Sequence, residues 1–275
     1  MDIAPRQPLY FAHISDTHIG PDPGYTRHGH APLPCAERVV EIINDLPTRP
    51  DFVIHTGDIV ADPDPAAYRL AARVFERLEA PVYYVVGNHD RARDIDHFLP
   101  MGPRQDACSD RDRLAYTFDV KGYRFLVLDA RGPDEIDPRG LLPEAQIALA
   151  QEQADDDGPP LSLFIHSPPL PINSPWMDAN MLVQNGHRLH EALLPARGRV
   201  HGVFHGHVHQ PLQLVHDGIL YCAAASTFAQ FHAWPTDFDV QFDPGHLPGY
   251  SFVHLLPQVK TIVRHHTFPR PEENR

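Results

Sequence analysis

The sequence predicts an α/β fold with a largely parallel β-sheet core. Short apolar runs rich in β-branched and aromatic residues alternate with segments of helical spacing. Polar motifs follow the carboxyl ends of several of these runs. Strand–helix alternation is typical of right-handed β-α-β units, in which ligands bind at the carboxyl ends of the strands. We therefore expect the functional residues to gather at that edge of the sheet.

The first half of the chain contains three predicted strands and two predicted helices. In chain order they are a strand at 9–15, a helix at 37–46, a strand at 51–55, a helix at 66–78 and a strand at 81–86. The strands are apolar runs of the length expected for buried strands, and the helix at 66–78 is the clearest amphipathic segment of the chain.

The second half repeats this scheme less regularly. It contains predicted strands at 114–120 and 123–129 that form a hairpin at Lys121-Gly122, a helix at 143–154, and strands at 161–165 and 200–204. From residue 214 onward the sequence is strand-like and rich in loops. Since no linker or fixed repeat interrupts the chain, we expect one domain over residues 1–275, in which residues 228–275 contribute to a pocket wall or an oligomer contact.

Composition and charge exclude several classes of function. The chain of 275 residues has a formal net charge of -13, which argues against non-specific binding to nucleic acid because such binding neutralises many phosphates. An anionic substrate remains compatible, since bound cations reverse the local field. No stretch approaches the roughly 20 apolar residues of a membrane span, and no secretory signal is recognisable. We expect a cytoplasmic protein without a nucleic-acid or membrane partner.

Metal-binding side chains follow the predicted strands. They occur in Asp16-Thr17-His18, Gly57-Asp58, Gly87-Asn88-His89-Asp90, His166-Ser167-Pro168-Pro169 and Gly206-His207-Val208-His209. Residues i and i+2 of an extended segment point the same way, so Asp16 and His18 can face one metal, and His207 and His209 can face one pocket. A carboxylate has two oxygens and can bind two cations, which makes Asp58 the candidate bridge. Together the motifs predict a two-metal site for phosphoester chemistry.

Each ligand candidate also has an ordinary structural interpretation. Asp58 alone could be a turn or capping residue, and Asn88 could be a turn residue before a helix. Asp16 and His18 could be a loop carboxylate and a surface imidazole. His166 by itself indicates only a rigid, proline-rich loop.

Residues beside the ligand motifs are candidates for catalysis and substrate contact. His89 could donate a proton or hydrogen bond to a phosphoryl oxygen, and Asp90 either orients His89 or caps the following helix. Arg91 could clamp a phosphate, or lie on a solvated helix face. Phe228 could stack on a substrate ring or form an oligomer contact, as could other aromatic residues of the region, namely Phe231, Trp234 and Trp176.

With these motifs in this order, residues 9–255 resemble the calcineurin-type metallophosphoesterases. The resemblance implies a four-layer α-β-β-α sandwich with two facing mixed sheets and a site at the carboxyl ends of the strands. It also implies that one metal is held by Asp16, His18, Asp58 and His209 and the other by Asp58, Asn88, His166 and His207. Mixed nitrogen and oxygen ligands suit Mn, Fe, Zn or Co.

Within that family the chain is similar to bacterial class III cyclic-nucleotide phosphodiesterases and glycerophosphodiesterases. Ala61 stands where purple acid phosphatases have a tyrosine, and Asp90 stands where the protein phosphatases have a glutamate. The segment 166–189 resembles the glycerophosphodiesterase-like members. Two histidines that are usual in those members are missing: Ser167 replaces one, and Ala229 lies in the region of the other.

The resemblance implies a dinuclear phosphodiesterase that hydrolyses a small phosphodiester by attack of a hydroxide bridging the metals. A phosphomonoesterase with the same site is the alternative, and a non-catalytic protein-binding scaffold is a remote one. The expected partner is a small phosphoester substrate, and a homo-oligomer is compatible with the sequence.

Overall fold

The computed structural model describes residues 7–155 and 157–271, which form fourteen strands and six α-helices. The strands are β1 (Leu9–Ile14), β2 (Phe52–His55), β3 (Val82–Tyr84), β4 (Gln105–Asp106), β5 (Tyr116–Val120), β6 (Tyr123–Val127), β7 (Leu161–Phe164), β8 (Val200–His205), β9 (Gln213–His216), β10 (Ile219–Ala223), β11 (Gln230–Phe231), β12 (Phe242–Asp243), β13 (Gly249–Leu256) and β14 (Lys260–Thr267). The helices are α1 (Pro32–Asn44), α2 (Pro65–Phe75), α3 (Ala92–Phe98), α4 (Glu144–Asp155), α5 (Pro175–Asn180) and α6 (Gly186–Leu193). The ends of the predicted single domain, residues 1–6 and 272–275, lie outside the described residues.

Two mixed sheets form the centre of the protein. The first has the strand order β14-β13-β1-β2-β3, and the second has the order β4-β5-β6-β7-β8-β10-β9. Strands β1, β2 and β3 are parallel, as are β6, β7, β8 and β10. The antiparallel strands extend these parallel centres outward, so the predicted parallel core is confirmed and the sheets are mixed overall.

A layer of phenylalanine rings joins the two sheets. The ring centroid of Phe11 on β1 lies 5.0 Å from that of Phe52 on β2 and 5.2 Å from that of Phe204 on β8. Phe52 in turn lies 4.9 Å from Phe125 on β6. Since side chains alternate across a strand, the opposite faces remain for the helices. Helices α1 and α2 cover the first sheet, and α4 and α6 cover the second, which confirms the predicted four layers.

The predicted elements of the first half differ from the observed ones mainly at their ends. The first helix begins earlier than expected because Pro32 supplies the fixed φ that suits a first helical turn. In the second half, the hairpin of β5 and β6 turns at Lys121 and Gly122 as predicted, and their φ angles of 50° and 79° fit a two-residue turn with both central residues at positive φ. Among the described helices, none has the length and apolar composition needed to cross a bilayer.

The C-terminal segment is part of the first sheet. Strand β13 pairs antiparallel with β1, and β14 pairs antiparallel with β13. The β1 strand is therefore held between β2 and a strand from the far end of the chain. The site-bearing loops follow β1, β2 and β3 of one sheet and β7 and β8 of the other, and all of them open at the same end of the sandwich.

Candidate dinuclear metal centre

The predicted ligands meet in two groups at this end of the sandwich. The ligand atoms of Asp16, His18 and His209 lie within 4.8 Å of one another, and so do those of Asp58, His166 and His207. All six residues are buried. The amide oxygen of Asn88, the seventh predicted ligand, lies 3.2 Å from His166 Nε2. Side chains from five separate loops are thus brought together as two adjacent ligand sets.

Asp58 lies between the two groups. Its Oδ2 atom is 3.5 Å from His18 Nε2, and its Oδ1 atom is 3.3 Å from His166 Nε2. The backbone N–H of His89 donates a hydrogen bond of 2.9 Å to Oδ1, which fixes the orientation of the carboxylate. One oxygen therefore faces each group, which is the arrangement that a bridging carboxylate requires.

Left-handed backbone conformations turn the ligands inward. Five predicted ligands have positive φ angles: Asp16 (55°), His18 (45°), Asp58 (54°), His207 (69°) and His209 (46°). Such conformations are uncommon for residues other than glycine and cost about 1–3 kcal/mol each. Hydrogen bonds between neighbouring loops offset this strain, since the Asp16 N–H donates to the Gly57 carbonyl and the His18 N–H donates to the Asp58 carbonyl, both at 3.0 Å.

Two glycines make room for the bridging carboxylate. Gly57 has a φ angle of 98°, and a Cβ atom on it would lie 2.6 Å from His166 Nδ1. A Cβ atom on Gly87 would lie 2.2 Å from Asp58 Oδ1. Both contacts are too short for a side chain, so both positions require glycine for close approach, and Gly57 requires it for its positive φ angle as well.

Backbone carbonyls orient two of the imidazoles. His166 donates its Nδ1–H to the Thr56 carbonyl and His209 donates its Nδ1–H to the Ala229 carbonyl, each at 2.7 Å. Both rings therefore present an Nε2 lone pair to the centre, a common arrangement for histidine ligands. Ala229 thus supports the site through its backbone.

The electrostatics of the groups favour bound cations. Burial would raise the pKa of Asp58, but the imidazoles of His166, His89 and His18 together outweigh burial and hold that pKa well below its usual range. Burial lowers the pKa of His166, yet the Asp58 carboxylate raises it to about 9. Burial lowers the pKa of His207 to about 3. The site thus holds an ionised carboxylate and attracts positive charge to it.

The contacts between imidazoles fit this conclusion. His18 Nε2 lies 3.2 Å from His209 Nε2, and His166 Nε2 lies 2.9 Å from His207 Nδ1. Two nitrogen lone pairs that face each other so closely need a proton or a cation between them. The nitrogen and oxygen donors suit Mn, Fe, Zn or Co, so the residues fit a pair of such ions.

His89 lies beside the two groups of predicted ligands, and a hydrogen bond to a backbone carbonyl orients its ring. Its Nδ1–H donates to the Ala61 carbonyl at 2.7 Å, and its ring centroid lies 4.9 Å from that of His18. The Nε2 atom remains for the site, where the guanidinium of Arg27 approaches it at 3.4 Å. Arg27 was missed from the sequence because its loop, residues 20–31, has neither periodicity nor ligand spacing. The local signal was a basic cluster close to the Asp16-x-His18 motif.

Asp90 has neither of the roles weighed from the sequence. It does not cap α3, whose N-cap residue is Arg91, and no direct contact to the His89 ring is seen among the described residues. Its buried carboxylate instead accepts hydrogen bonds from the backbone N–H groups of Ile59 at 3.1 Å and Gly87 at 3.0 Å. Asp90 therefore ties the loop after β2 to the loop after β3.

Burial and the nearby charge of Asp58 together raise the pKa of Asp90 to about 7. The carboxyl group is held by backbone donors on the loop that also carries the Ala61 carbonyl. Asp90 therefore affects the orientation of His89 only indirectly, through the position of that loop.

Of two predicted substrate contacts, Arg91 lies on a solvated helix face, which is one of the interpretations weighed from the sequence, and Phe228 is buried. Arg91 is exposed at the start of α3, and its backbone N–H donates to the Tyr68 hydroxyl at 2.8 Å. Phe228 is fully buried, with its ring packed 5.5 Å from that of His18 and 6.1 Å from that of His209. Because it presents no free face, Phe228 supports the ligands as a wall and does not stack on a substrate here.

Comparison with known proteins agrees with this site. Residues 9–211 match the family model described as calcineurin-like phosphoesterase. The chain belongs to the calcineurin-like phosphoesterase family. Members of this family are metal-dependent phosphoester hydrolases, and the protein is an enzyme of that class.

Individual relatives are similar over most of their length. The glycerophosphodiester phosphodiesterase GpdQ of Enterobacter lignolyticus is 32% identical over 204 residues, covering 73% of this chain and 71% of the relative. The 3′,5′-cyclic adenosine monophosphate phosphodiesterase CpdA of Pseudomonas aeruginosa is 29% identical over 243 residues, covering 88% and 84%. A dimetal phosphatase from Danio rerio shares the fold, with a TM-score of 0.64 at 16% identity over 94% of this chain and 99% of that one.

Asp58→Ala should remove metal from both groups, because the Asp58 carboxylate faces both. Metal content after equilibration with Mn²⁺ and gel filtration measures this directly, and turnover should fall by at least about 10³-fold because metal ions supply several kcal/mol of transition-state stabilisation. Asp62→Ala, a change of the same type at an exposed residue four positions further on, is the control. Retained turnover in Asp58→Ala would show that Asp58 is not the bridge.

Proposed function

We propose that the protein hydrolyses small phosphodiesters of the cyclic-nucleotide or glycerophosphodiester type. The observation that carries this proposal is Asp58, whose two oxygens face separate ligand groups with His89 beside them. The diester preference is supported by GpdQ and CpdA, whose names specify glycerophosphodiester and cyclic-nucleotide substrates.

Two metal ions would be held by the predicted ligand sets, which share Asp58. One set comprises Asp16, His18, Asp58 and His209, and the other comprises Asp58, Asn88, His166 and His207. When bound, such ions activate water and neutralise charge on the phosphoryl oxygens. We propose Mn, Fe, Zn or Co as the metals.

The residues of the chain hold the substrate in place and balance its charge. His89 keeps its Nδ1–H on the Ala61 carbonyl, so only Nε2 can serve the substrate. A protonated Nε2 would donate to a non-bridging or leaving oxygen of the phosphate as negative charge develops there. Arg27 Nη2 lies 3.4 Å from the same Nε2, so both groups can contact one phosphate. A single guanidinium suits the single negative charge of a diester.

An aromatic pair beside the centre would contact the substituent of the diester. The ring of His28, which is exposed, stacks on Phe242 with centroids 3.4 Å apart and an interplanar angle of 25°. His28 also lies 6.5 Å from Phe228, which places the pair next to the ligand wall. The flat, exposed ring of His28, the residue next to Arg27, could stack on a nucleobase, and its ring nitrogens could form hydrogen bonds with a glycerol group.

Substrate preference tests the proposed activity. Chelator-stripped protein supplied with Mn²⁺ should hydrolyse bis-p-nitrophenyl phosphate faster than p-nitrophenyl phosphate. Turnover of 2′,3′-cAMP, 3′,5′-cAMP and glycerophosphocholine under the same conditions would identify the substrate branch, and chelator-treated protein without added metal is the control. If only monoesters are hydrolysed, the enzyme is a phosphomonoesterase with the same metal site.

His89→Ala should keep both metals and lower turnover by roughly 10² or more, the usual effect of losing an acid or charge-stabilising group. The metal content and kcat should be measured on the same preparation. His97→Ala on α3, an exposed histidine that packs on Phe98, is the matched control. Loss of metal in His89→Ala would make His89 a ligand and contradict its proposed role.

Arg27→Ala should raise KM for a diester by about tenfold or more while leaving metal content unchanged, because a charged hydrogen bond to substrate is worth about 1.5–3 kcal/mol. Arg27→Lys should recover part of the loss, since it restores charge without the planar fork. The same kinetics on Arg91→Ala test the prediction from sequence. A greater rise in KM there would assign the phosphate contact to Arg91.

A further inference from the structure

A second cluster of metal-binding side chains lies at the opposite end of the seven-stranded sheet. His190 lies on α6, and His216 and Asp217 lie at the turn between β9 and β10. Because β10 runs parallel to β8, Asp217 is at the amino end of these strands. His207 and His209 follow the carboxyl end of β8, about 20 Å away at the rise of a β-strand. The cluster is therefore separate from the catalytic centre.

The spacing of the three side chains suits a tetrahedral metal. Asp217 Oδ2 lies 3.2 Å from His190 Nε2 and 3.8 Å from His216 Nε2, and all three ligand atoms lie within 4.8 Å of one another. With zinc–ligand bonds of about 2.0–2.1 Å, the ligand atoms of a tetrahedral site lie about 3.3–3.4 Å apart. The cluster needs only a small contraction to reach this geometry.

His190 is held in the orientation that a ligand needs. It is buried, and its Nδ1 atom lies 2.8 Å from the Tyr221 hydroxyl on β10. The oxygen of this hydroxyl can accept the Nδ1–H of His190. This contact leaves the Nε2 lone pair directed at Asp217, as in metal sites where the second ring nitrogen is hydrogen-bonded.

The rings of His190 and His216 lie close to each other and to one carboxylate. Their ring centroids are 4.6 Å apart, and Asp217 Oδ2 is near the Nε2 atoms of both rings. Two neutral imidazoles and a carboxylate supply three donors to a divalent cation. The exposure of His216 and Asp217 leaves a side open for entry of the ion.

We propose that His190, His216 and Asp217 form a zinc site whose fourth position is open to water. Two histidines and one carboxylate are an established donor set for zinc, and three protein ligands leave one coordination position for solvent or a small anion. The ion would join α6 to the β9–β10 hairpin. The site is independent of the proposed phosphodiesterase activity, because none of its residues lies at the catalytic end of the sheet.

Zinc content tests the proposal. Full-length, chelator-stripped protein is dialysed against Zn²⁺, passed over a desalting column and measured by inductively coupled plasma mass spectrometry. Wild type should retain about one equivalent more zinc than His216→Ala or Asp217→Asn. His187→Ala, an exposed histidine one turn earlier on α6, should retain as much zinc as wild type. Equal zinc in wild type, His216→Ala and Asp217→Asn would overturn the proposal.

Cobalt substitution adds a readout of geometry. After Co²⁺ loading, the spectrum of wild type minus that of Asp217→Asn should show the visible bands of a tetrahedral ion. Phosphodiester turnover should be the same in both proteins. A featureless difference spectrum would contradict a tetrahedral site. Altered turnover together with unchanged metal content would place the cluster in catalysis and refute its independence.

Discussion

The buried carboxylate of Asp58 is the constraint on which the rest of the structure depends. An ionised carboxylate in a water-poor centre is costly unless positive charge lies close to it. The surrounding imidazoles can supply that charge only by holding a proton or a cation. Positive φ angles, glycines without room for a Cβ atom and carbonyl-anchored histidines all serve to bring these groups into contact. The phenylalanine layer beneath gives these strained loops a rigid base, as preorganised sites require.

Much of the fold, and the gathering of the candidate ligands at one end of it, could be predicted from the sequence, because the signals are local. Each ligand stands directly after an apolar run, and parallel strands place their carboxyl ends at one edge. The turn at Lys121-Gly122 is likewise set by its own dipeptide. Asp16 and His18 come together as their spacing predicts, but alternation along a strand is not the cause. Both residues lie in left-handed loop conformations that direct them to one group.

The features that sequence could not supply all depend on contacts between distant segments. Asp90 follows a histidine in sequence, but it also accepts a hydrogen bond from the backbone N–H of Ile59, which lies 31 residues earlier in the chain. Arg27 reaches His89 from another loop. Phe228 is an aromatic residue of the type that can stack on a substrate ring. Only the packed structure shows that neighbouring residues cover its ring. The pairing of β13 with β1 has no local signal, since the sequence pattern of a strand does not specify which strand it pairs with.

That last pairing has a consequence for how the protein is made. Strand β1, which precedes the predicted ligands Asp16 and His18, is synthesised more than two hundred residues before its neighbour β13. Closing so long a loop is slow because its entropy is lost before the contact forms. A nascent chain thus carries an apolar strand with one unpaired edge until β13 has been synthesised. The integrity of the candidate site therefore depends on a strand that is remote in sequence, and a chain interrupted before β13 would release β1 half-paired to the quality-control machinery of the cell.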